Sequence, residues 1–209
     1  MFSILSHTFI TLIPNVKNPE RVTEFRPISL CNVIYKIISK VIANRLKPLL
    51  ISIISETQSA FTAGRLITDN VLIVFELLHH MSKAYDRVEW GFLKNIQLRL
   101  GFQQSWVDLI MECVTTVSYS ILVNGEPKGM IYPTRGIRQG NPLSPYLFLF
   151  CAEGLNAILR KVAVAGEIEG FSLCKQGPKI THLFFADDYL LLCHSTLVEC
   201  EKIQELLDG

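Results

Sequence analysis

The sequence predicts an α+β fold, because helical and strand-like patterns both occur along its 209 residues. Apolar residues recur at helical spacing from residue 33 to residue 50. Asn124-Gly125 stands between two strand-like runs, which is the strongest short signal of a β-hairpin. Two adjacent carboxylates, Asp187 and Asp188, also stand between strand-like runs. With 49% hydrophobic residues, the chain is long and apolar enough to form one domain with a sizeable core.

The predicted helices share apolar residues three or four positions apart and have capping residues at their starts. Ser144 as N-cap and Pro145 at the first helical position open the longest of the later helices. Ser195 or Thr196, together with Glu199, caps a last short helix. The other predicted helices cover about residues 33–50, 70–78, 92–100 and 105–114, and the Ser144 helix ends near residue 162.

The predicted strands are rich in β-branched and aromatic residues. The Asn124-Gly125 hairpin joins residues 119–123 to residues 130–132. A further strand is expected from Ile168 to Leu173. Residues 180–185 and 189–193 form the strands on either side of the carboxylate pair, so the pair is expected at or beside a hairpin turn.

Two neighbouring carboxylates at a turn repel each other and are hard to explain by packing. A divalent cation would neutralise Asp187 and Asp188, and carboxylate oxygens are the ligands that Mg²⁺ prefers. A turn exposed to water is the alternative explanation, because structural charge networks resemble functional sites. The pair alone does not decide between them.

Charge and cysteine content narrow the class of protein. Residues 1–65 carry a net charge of +5 and residues 66–209 a net charge of −4, although the whole chain is only +1. A basic part beside an acidic part suits a protein that holds both phosphates and metal ions, although solvated lysines on a helix surface would also contribute. No Cys-x-x-Cys pair occurs, so we expect neither a zinc site nor a disulfide, and no apolar stretch is long enough for a membrane span. The six cysteines are Cys31, Cys113, Cys151, Cys174, Cys193 and Cys200.

Four motifs occur in a fixed order along the chain. They read Phe-Arg-Pro-Ile-Ser-Leu from Phe25, Gln-Ser-Ala-Phe-Thr-Ala-Gly-Arg from Gln58, Arg-Gln-Gly-Asn-Pro-Leu-Ser-Pro from Arg138, and Phe-Ala-Asp-Asp from Phe185. With Lys-Ala-Tyr-Asp from Lys83 between the second and third, the chain closely resembles the reverse transcriptases of non-LTR (LINE-type) retrotransposons, especially plant-type elements.

The resemblance implies the fingers and palm of a right-hand polymerase without a thumb, fingers-like over about residues 1–80 and palm-like over about residues 81–209. It implies RNA-directed DNA synthesis that depends on Mg²⁺, with an RNA template, a DNA primer and deoxynucleotides as partners. It also implies an intracellular protein, nuclear or cytoplasmic.

The family's functional residues carry over to several positions. Asp187 best matches the metal-binding catalytic carboxylate of the hairpin, and Asp188 is the next candidate. Tyr85 matches the bulky residue beneath the nucleotide sugar, although an ordinary core tyrosine is the alternative. Gln139 and Gly140 match the loop against template and incoming base; Asn141 stands where many relatives carry Asp. Arg26 and Arg65 are candidates for phosphate contacts, and each could equally be a plain surface arginine.

One essential family residue is missing. In the family, another metal-binding Asp ends a strand three residues before the Lys-Ala-Tyr-Asp motif. This chain has His80 at that position. The apolar strand before it is also missing, as if about a dozen residues were deleted. We therefore expect the helix that begins near Asn70 to continue through Met81, and the palm sheet to lack one strand. On this reasoning, His80→Asp alone should not restore activity. Asp86 is expected to cap the next helix together with Glu89.

The sequence thus predicts the fingers–palm part of a reverse transcriptase whose polymerase activity is lost. A non-catalytic RNA-binding remnant is one alternative, and a degenerate reading frame without a product function is the other.

Overall fold

The computed structural model describes residues 6–62, 79–80, 84–172, 177–186, 188–194 and 196–208. Contacts between Cα atoms divide the chain into two compact units. The first comprises residues 1–49 and 83–150, and the second comprises residues 50–82 and 151–209. The division into a fingers-like and a palm-like part near residue 80 stays a prediction.

Strands and helices are interspersed along the chain. In sequence order they are β1 (His7–Pro14), a 3-10 turn (Val22–Glu24), β2 (Phe25–Cys31), α1 (Val33–Ile53), β3 (His79–His80), α2 (Ala84–Arg87), α3 (Trp90–Arg99), α4 (Gln104–Thr115), β4 (Ser118–Val123), β5 (Glu126–Ile131), α5 (Ser144–Val164), β6 (His182–Phe185), β7 (Asp188–Leu191) and α6 (Leu197–Asp208). Helices α1 and α5 each contribute residues to both units.

A four-stranded sheet with the order β2-β1-β4-β5 organises the first unit. Strand β1 is antiparallel to β2 and parallel to β4. Strands β4 and β5 form the predicted hairpin, and both turn residues have positive φ, +51° at Asn124 and +83° at Gly125. These are the angles that a two-residue primed turn requires, which is why Asn-Gly predicts it.

The core of the first unit follows from the periodicity of its helices. Buried residues of α1 recur at Tyr35, Ser39, Ile42 and Leu46, one face of a helix. Its lysines lie on the exposed side. The predicted helices at residues 92–100 and 105–114 are confirmed as α3 and α4. The largest fully buried side chains of this unit include Tyr35, Leu46, Leu93, Ile110, Leu143, Leu147 and Phe150.

The second unit is built around a three-stranded sheet with the order β3-β7-β6. Its core contains Leu159 of α5, Phe184 of β6 and Tyr189 of β7. Leu206 of α6 packs against this cluster. The start of α6 is the predicted one, because Thr196 Oγ1 accepts a hydrogen bond from the Glu199 amide over 3.4 Å.

One predicted strand differs from the structure, and one predicted helix lies outside the described residues. The strand predicted from Ile168 to Leu173 is reduced to one isolated bridge between Phe171 and Ile180. Gly170 has φ +69°, and a Cβ there would lie 2.6 Å from the carbonyl oxygen of Ile180, so the chain turns sharply beside the bridge. The helix predicted for residues 70–78, like Leu173, lies outside the described residues.

Cys31, Cys113, Cys151, Cys193 and Cys200, the cysteines that the structure describes, are free thiols. Burial raises the pKa of Cys113 to about 11 and that of Cys151 to about 12, so both are neutral at physiological pH. In the described part of the chain, no helix combines the length and the apolar character needed to cross a membrane.

Candidate functional site

Asp188, the described residue of the carboxylate pair, lies at a β-hairpin, as predicted. Strands β6 and β7 are antiparallel, and Phe185 is the register partner of Asp188. Ala186 is the described residue of the turn. Asp188 is half-buried at the start of β7, whereas Asp187 lies outside the described residues. Ala186 has φ +55°, a left-handed conformation that is costly for a residue with a Cβ.

The outer edge of β7 carries β3, and this overturns an expectation from the sequence. His79 and His80 do not continue a helix. They form a two-residue strand antiparallel to β7, in which His80 is the register partner of Asp188. The sheet edge that was expected to be bare is therefore partly covered. Position 80, where the family's metal-binding Asp is expected, lies directly across the ladder from a carboxylate of the hairpin.

The other edge of the hairpin is held by the segment around Gln58. The Phe184 amide donates to the Thr57 carbonyl over 2.8 Å, and the Ser59 amide donates to the Phe184 carbonyl over 3.1 Å. The Gln58 side chain reaches the turn itself, where its Oε1 accepts a hydrogen bond from the Ala186 amide over 3.2 Å. Both edges of the hairpin are thus fixed by neighbouring backbone.

A buried polar chain fixes the start of β6. His182 is 2% exposed, and its Nε2 lies 2.7 Å from Oδ1 of Asn156. Asn156 donates to Glu153 over 2.8 Å, and Glu153 accepts the Ser55 amide over 2.8 Å. Burial, with a smaller contribution from Arg160, lowers the pKa of His182 to about 4, so the imidazole is neutral and donates through Nε2. These contacts make His182 a structural residue of the fold.

In the first unit, the loop that contains Gln139 is joined to the segment that contains Tyr85. The Gly136 amide donates to the Val88 carbonyl over 2.7 Å, and the Ile137 amide donates to the Tyr85 carbonyl over 2.8 Å. Trp90 Nε1 donates to the Gly136 carbonyl over 2.7 Å. Because three hydrogen bonds join the two segments, the loop has a defined position relative to Tyr85.

Tyr85 is packed against the core. Its ring stacks on Phe148 with a centroid distance of 5.2 Å and an interplanar angle of 11°. Asp86 lies within the short helix α2, and the N-cap residue of α3 is Glu89, without a side-chain cap. The predicted capping role of Asp86 is therefore wrong, because Asp86 lies three residues before the N-cap and is itself helical.

An open cavity of about 230 Å³ lies over one face of the first sheet. Gln139 lines it, together with Arg135 from the same loop and Asp86 from α2. Gly140 follows at φ +81°, where a Cβ would lie 3.8 Å from the Ser29 carbonyl. Arg26 is exposed on β2, and alternation along the strand places it on the face opposite Pro27, which lines the cavity. Arg65 lies outside the described residues.

Sequence reasoning missed Arg138. It is only 4% exposed, and its Nη2 donates to the Ser6 carbonyl over 2.6 Å. Its guanidinium lies 4.4 Å from the centroid of the Tyr35 ring and 5.8 Å from that of Tyr119. Its Nη1 also donates to Cys31 Sγ over 3.3 Å, so the side chain joins β2, α1 and β4. No sequence signal predicts this burial, because an arginine in a glycine-containing loop is usually at the surface.

The described donor groups do not fit two Mg²⁺ ions. Two-metal sites hold their ions between anionic ligands from converging elements. Of the described residues, the hairpin offers Asp188, and its register partner at position 80 is a histidine, which is a poor ligand for this hard cation. Over the described ranges, no three His, Cys, Asp or Glu side chains come together as a metal site.

Comparisons with known proteins find similarity to reverse transcriptases and to retrotransposon Pol proteins. The family model described as reverse transcriptase (RNA-dependent DNA polymerase) matches residues 15–208. The chain is 28% identical over 213 residues to the Retrovirus-related Pol polyprotein from type-2 retrotransposable element R2DM of Drosophila melanogaster, covering 94% of this chain and 18% of the polyprotein. It is 46% identical over 67 residues to an uncharacterized mitochondrial protein of Arabidopsis thaliana, covering 32% of this chain and 55% of that protein. The chain thus spans only part of each relative.

Solved structures show the same fold. A structure of telomerase from Candida albicans, in complex with a fragment of telomeric RNA, matches with a TM-score of 0.61 at 13% identity. The match covers 98% of this chain and 39% of the telomerase chain. At this identity the likeness concerns the fold alone.

Proposed function

Because the chain belongs to the reverse transcriptase family and is homologous to the Pol proteins of non-LTR retrotransposons, we propose that it binds an RNA template and a deoxynucleotide but does not join nucleotides. The predicted family and the α+β fingers–palm fold are confirmed. A plant-type element stays a prediction, which the Arabidopsis relative supports.

The observation that carries this proposal is the pairing of His80 with Asp188. Directly paired residues of an antiparallel ladder have Cβ atoms about 5 Å apart, so a carboxylate at position 80 would stand beside Asp188. The chain has a histidine there instead. The reaction needs two ions that neutralise the attacking and leaving oxygens, and hairpin carboxylates without an anionic partner at position 80 do not hold both.

Nucleotide binding is supported by the cavity over the first sheet. It exposes the side chains of Gln139 and Arg135, which can contact a base edge and a phosphate. The hydrogen bond from Ile137 to Tyr85 fixes this loop before a ligand arrives. Tyr85 as the residue that excludes a 2′-hydroxyl, and Gly140 as the point of close approach to the template, remain family-based assignments.

RNA binding is supported by the charge of α1. Lys36, Lys40 and Lys47 share one exposed face of α1, because they lie four and seven residues apart, and the helix contains no acidic residue. Cations grouped in this way replace the counterions of a phosphate backbone, so binding weakens as salt rises. The telomerase neighbour is in complex with RNA, which supports RNA binding in general.

RNA binding is tested by fluorescence anisotropy with a labelled single-stranded RNA over a range of salt concentrations. The double substitution Lys36→Gln with Lys40→Gln should weaken binding and reduce the slope of log K against log salt by about 1.4, at about 0.7 per phosphate contact. The matched control is Lys161→Gln with Lys179→Gln, which removes the same charge from exposed positions of the second unit. Equal weakening by both pairs would show that only net charge matters and would contradict RNA binding by α1.

A further inference from the structure

We propose that Gln58 is a positioning residue that holds the turn of the carboxylate hairpin. Its importance for catalysis in relatives rests on the proposed function, because only then are Asp187 and Asp188 metal ligands. Its action on the turn follows from contacts within the second unit. None of the roles inferred from the sequence involves this glutamine.

The backbone on both sides of Gln58 forms the first half of the contact. Thr57 and Ser59 exchange hydrogen bonds with Phe184, so the segment is a parallel bridge to β6. Strand β7 occupies the other edge of β6. The Gln58 segment therefore pairs with the edge of β6 that β7 leaves open.

The side chain of Gln58 forms the second half. It is fully buried, and its Oε1 accepts hydrogen bonds from the amides of Ala60 over 2.9 Å and Ala186 over 3.2 Å. The Ala186 amide donates to this acceptor although Ala186 has the left-handed φ of +55°. Because an L-residue disfavours this region, the turn needs a compensating interaction, and a buried acceptor opposite the amide provides one.

The consequence concerns the two residues that follow. Ala186 directly precedes Asp187 and Asp188 in the sequence, so its φ angle sets the direction in which the chain enters the carboxylate pair. An aliphatic side chain of the same length would fill the space of Gln58 but offer no acceptor. Such a substitution therefore distinguishes a positioning role of Gln58 from a packing role.

The test is amide hydrogen exchange of Ala186 in the full 209-residue chain, followed by NMR. Gln58→Met keeps the volume and replaces the amide oxygen with a much weaker thioether acceptor. The matched control is Gln97→Met, since Gln97 is also fully buried and uses its side chain to donate to the Leu93 carbonyl over 2.9 Å. We expect Ala186 to exchange on the order of tenfold faster in Gln58→Met and at the wild-type rate in Gln97→Met, because one buried hydrogen bond contributes about this factor. Unchanged exchange in Gln58→Met, or equal acceleration in both variants, would overturn the proposal.

Two further variants keep the test decisive if Gln58→Met does not fold. Gln58→Glu retains an oxygen acceptor and should leave the Ala186 amide protected. Ala186→Gly relieves the left-handed strain, so Gln58→Met should be tolerated in that background. Exchange at Ala186 that rises in Gln58→Glu, or a double variant no better folded than Gln58→Met, would refute the role assigned to the acceptor.

The exchange measurement needs neither RNA nor metal, which separates this inference from the proposed function. If Gln58→Met accelerates exchange at Ala186 but no variant binds RNA, the proposed function fails and the positioning role stands. If RNA binding weakens on substitution of the α1 lysines but exchange at Ala186 is unchanged in Gln58→Met, only the positioning role fails.

Discussion

Gly136→Ala should be one of the most destabilising single-methyl changes in the first unit. Gly136 has φ +88°, and a Cβ there would lie 3.0 Å from the carbonyl oxygen and 3.2 Å from the Cα of Asp86. Both neighbours are backbone atoms of a segment that is hydrogen-bonded to this loop, so no side chain can rotate away. The methyl group must therefore push the loop away from Asp86 or distort its backbone.

The magnitude follows from two contributions. The left-handed conformation costs an L-residue about 1–2 kcal/mol. Overpacking against atoms that cannot move away adds about 1–3 kcal/mol. Gly101 offers a matched comparison, because it has φ +89° and nothing within 4 Å of an added Cβ. Gly101→Ala should incur only the first cost, so the two variants should differ by about 1–3 kcal/mol in the free energy of unfolding.

Urea unfolding of both variants measures this difference. The gain from a less flexible unfolded chain is the same for any Gly→Ala change and cancels between them. The denaturant slopes of the two variants must agree for the comparison to hold. Equal losses in Gly136→Ala and Gly101→Ala would refute the reasoning, since only contact with Asp86 distinguishes them.

Two other predictions concern protonation and the nucleotide. The pKa of His182 is about 4 in the folded protein and 6.5 ordinarily, because burial favours the neutral imidazole. The free energy of unfolding therefore has its full value above pH 6.5 and falls by on the order of 3 kcal/mol as pH is lowered toward 4. His182→Gln should flatten the dependence of the urea midpoint on pH in this window. If that pH dependence is unchanged, it comes from other titrating groups. Gln139→Ala should weaken deoxynucleotide binding in a fluorescence titration without shifting the melting temperature, because Gln139 is exposed. The exposed Gln104→Ala serves as control, and equal affinity in both variants would contradict a role for Gln139.

The elements predicted correctly are those with strong local signals. Helix α1 follows from the spacing of its apolar residues, and the β4–β5 hairpin follows from Asn124-Gly125. The hairpin around Asp188 follows from aromatic and β-branched runs on both sides. In each case the signal for the conformation lies within the residues of the element itself.

The elements that sequence reasoning missed depend on distant partners. His79 and His80 are extended because the edge of β7 offers unpaired backbone groups, and nothing in their local sequence indicates it. The strand expected from Ile168 fails because Gly170, with φ +69°, interrupts the extended backbone immediately before the single bridge at Phe171. Gln58 and Arg138 become significant only through contacts with residues more than 100 positions away in the sequence.

The finding at His80 changes one expectation. A single substitution was expected to fail because no strand would aim a new carboxylate. Since β3 places position 80 opposite Asp188, His80→Asp should supply the missing partner without a longer insertion.

Primer extension on an RNA template, with Mg²⁺ and deoxynucleotides, tests the central claim most directly. The unmodified chain should bind the RNA and yield no extended primer. His80→Asp should produce extension, which Asp188→Asn in the same background should reduce or abolish. Extension by the unmodified chain that is lost on Asp188→Asn would contradict the claim, as would a His80→Asp variant that binds RNA and deoxynucleotide yet extends nothing.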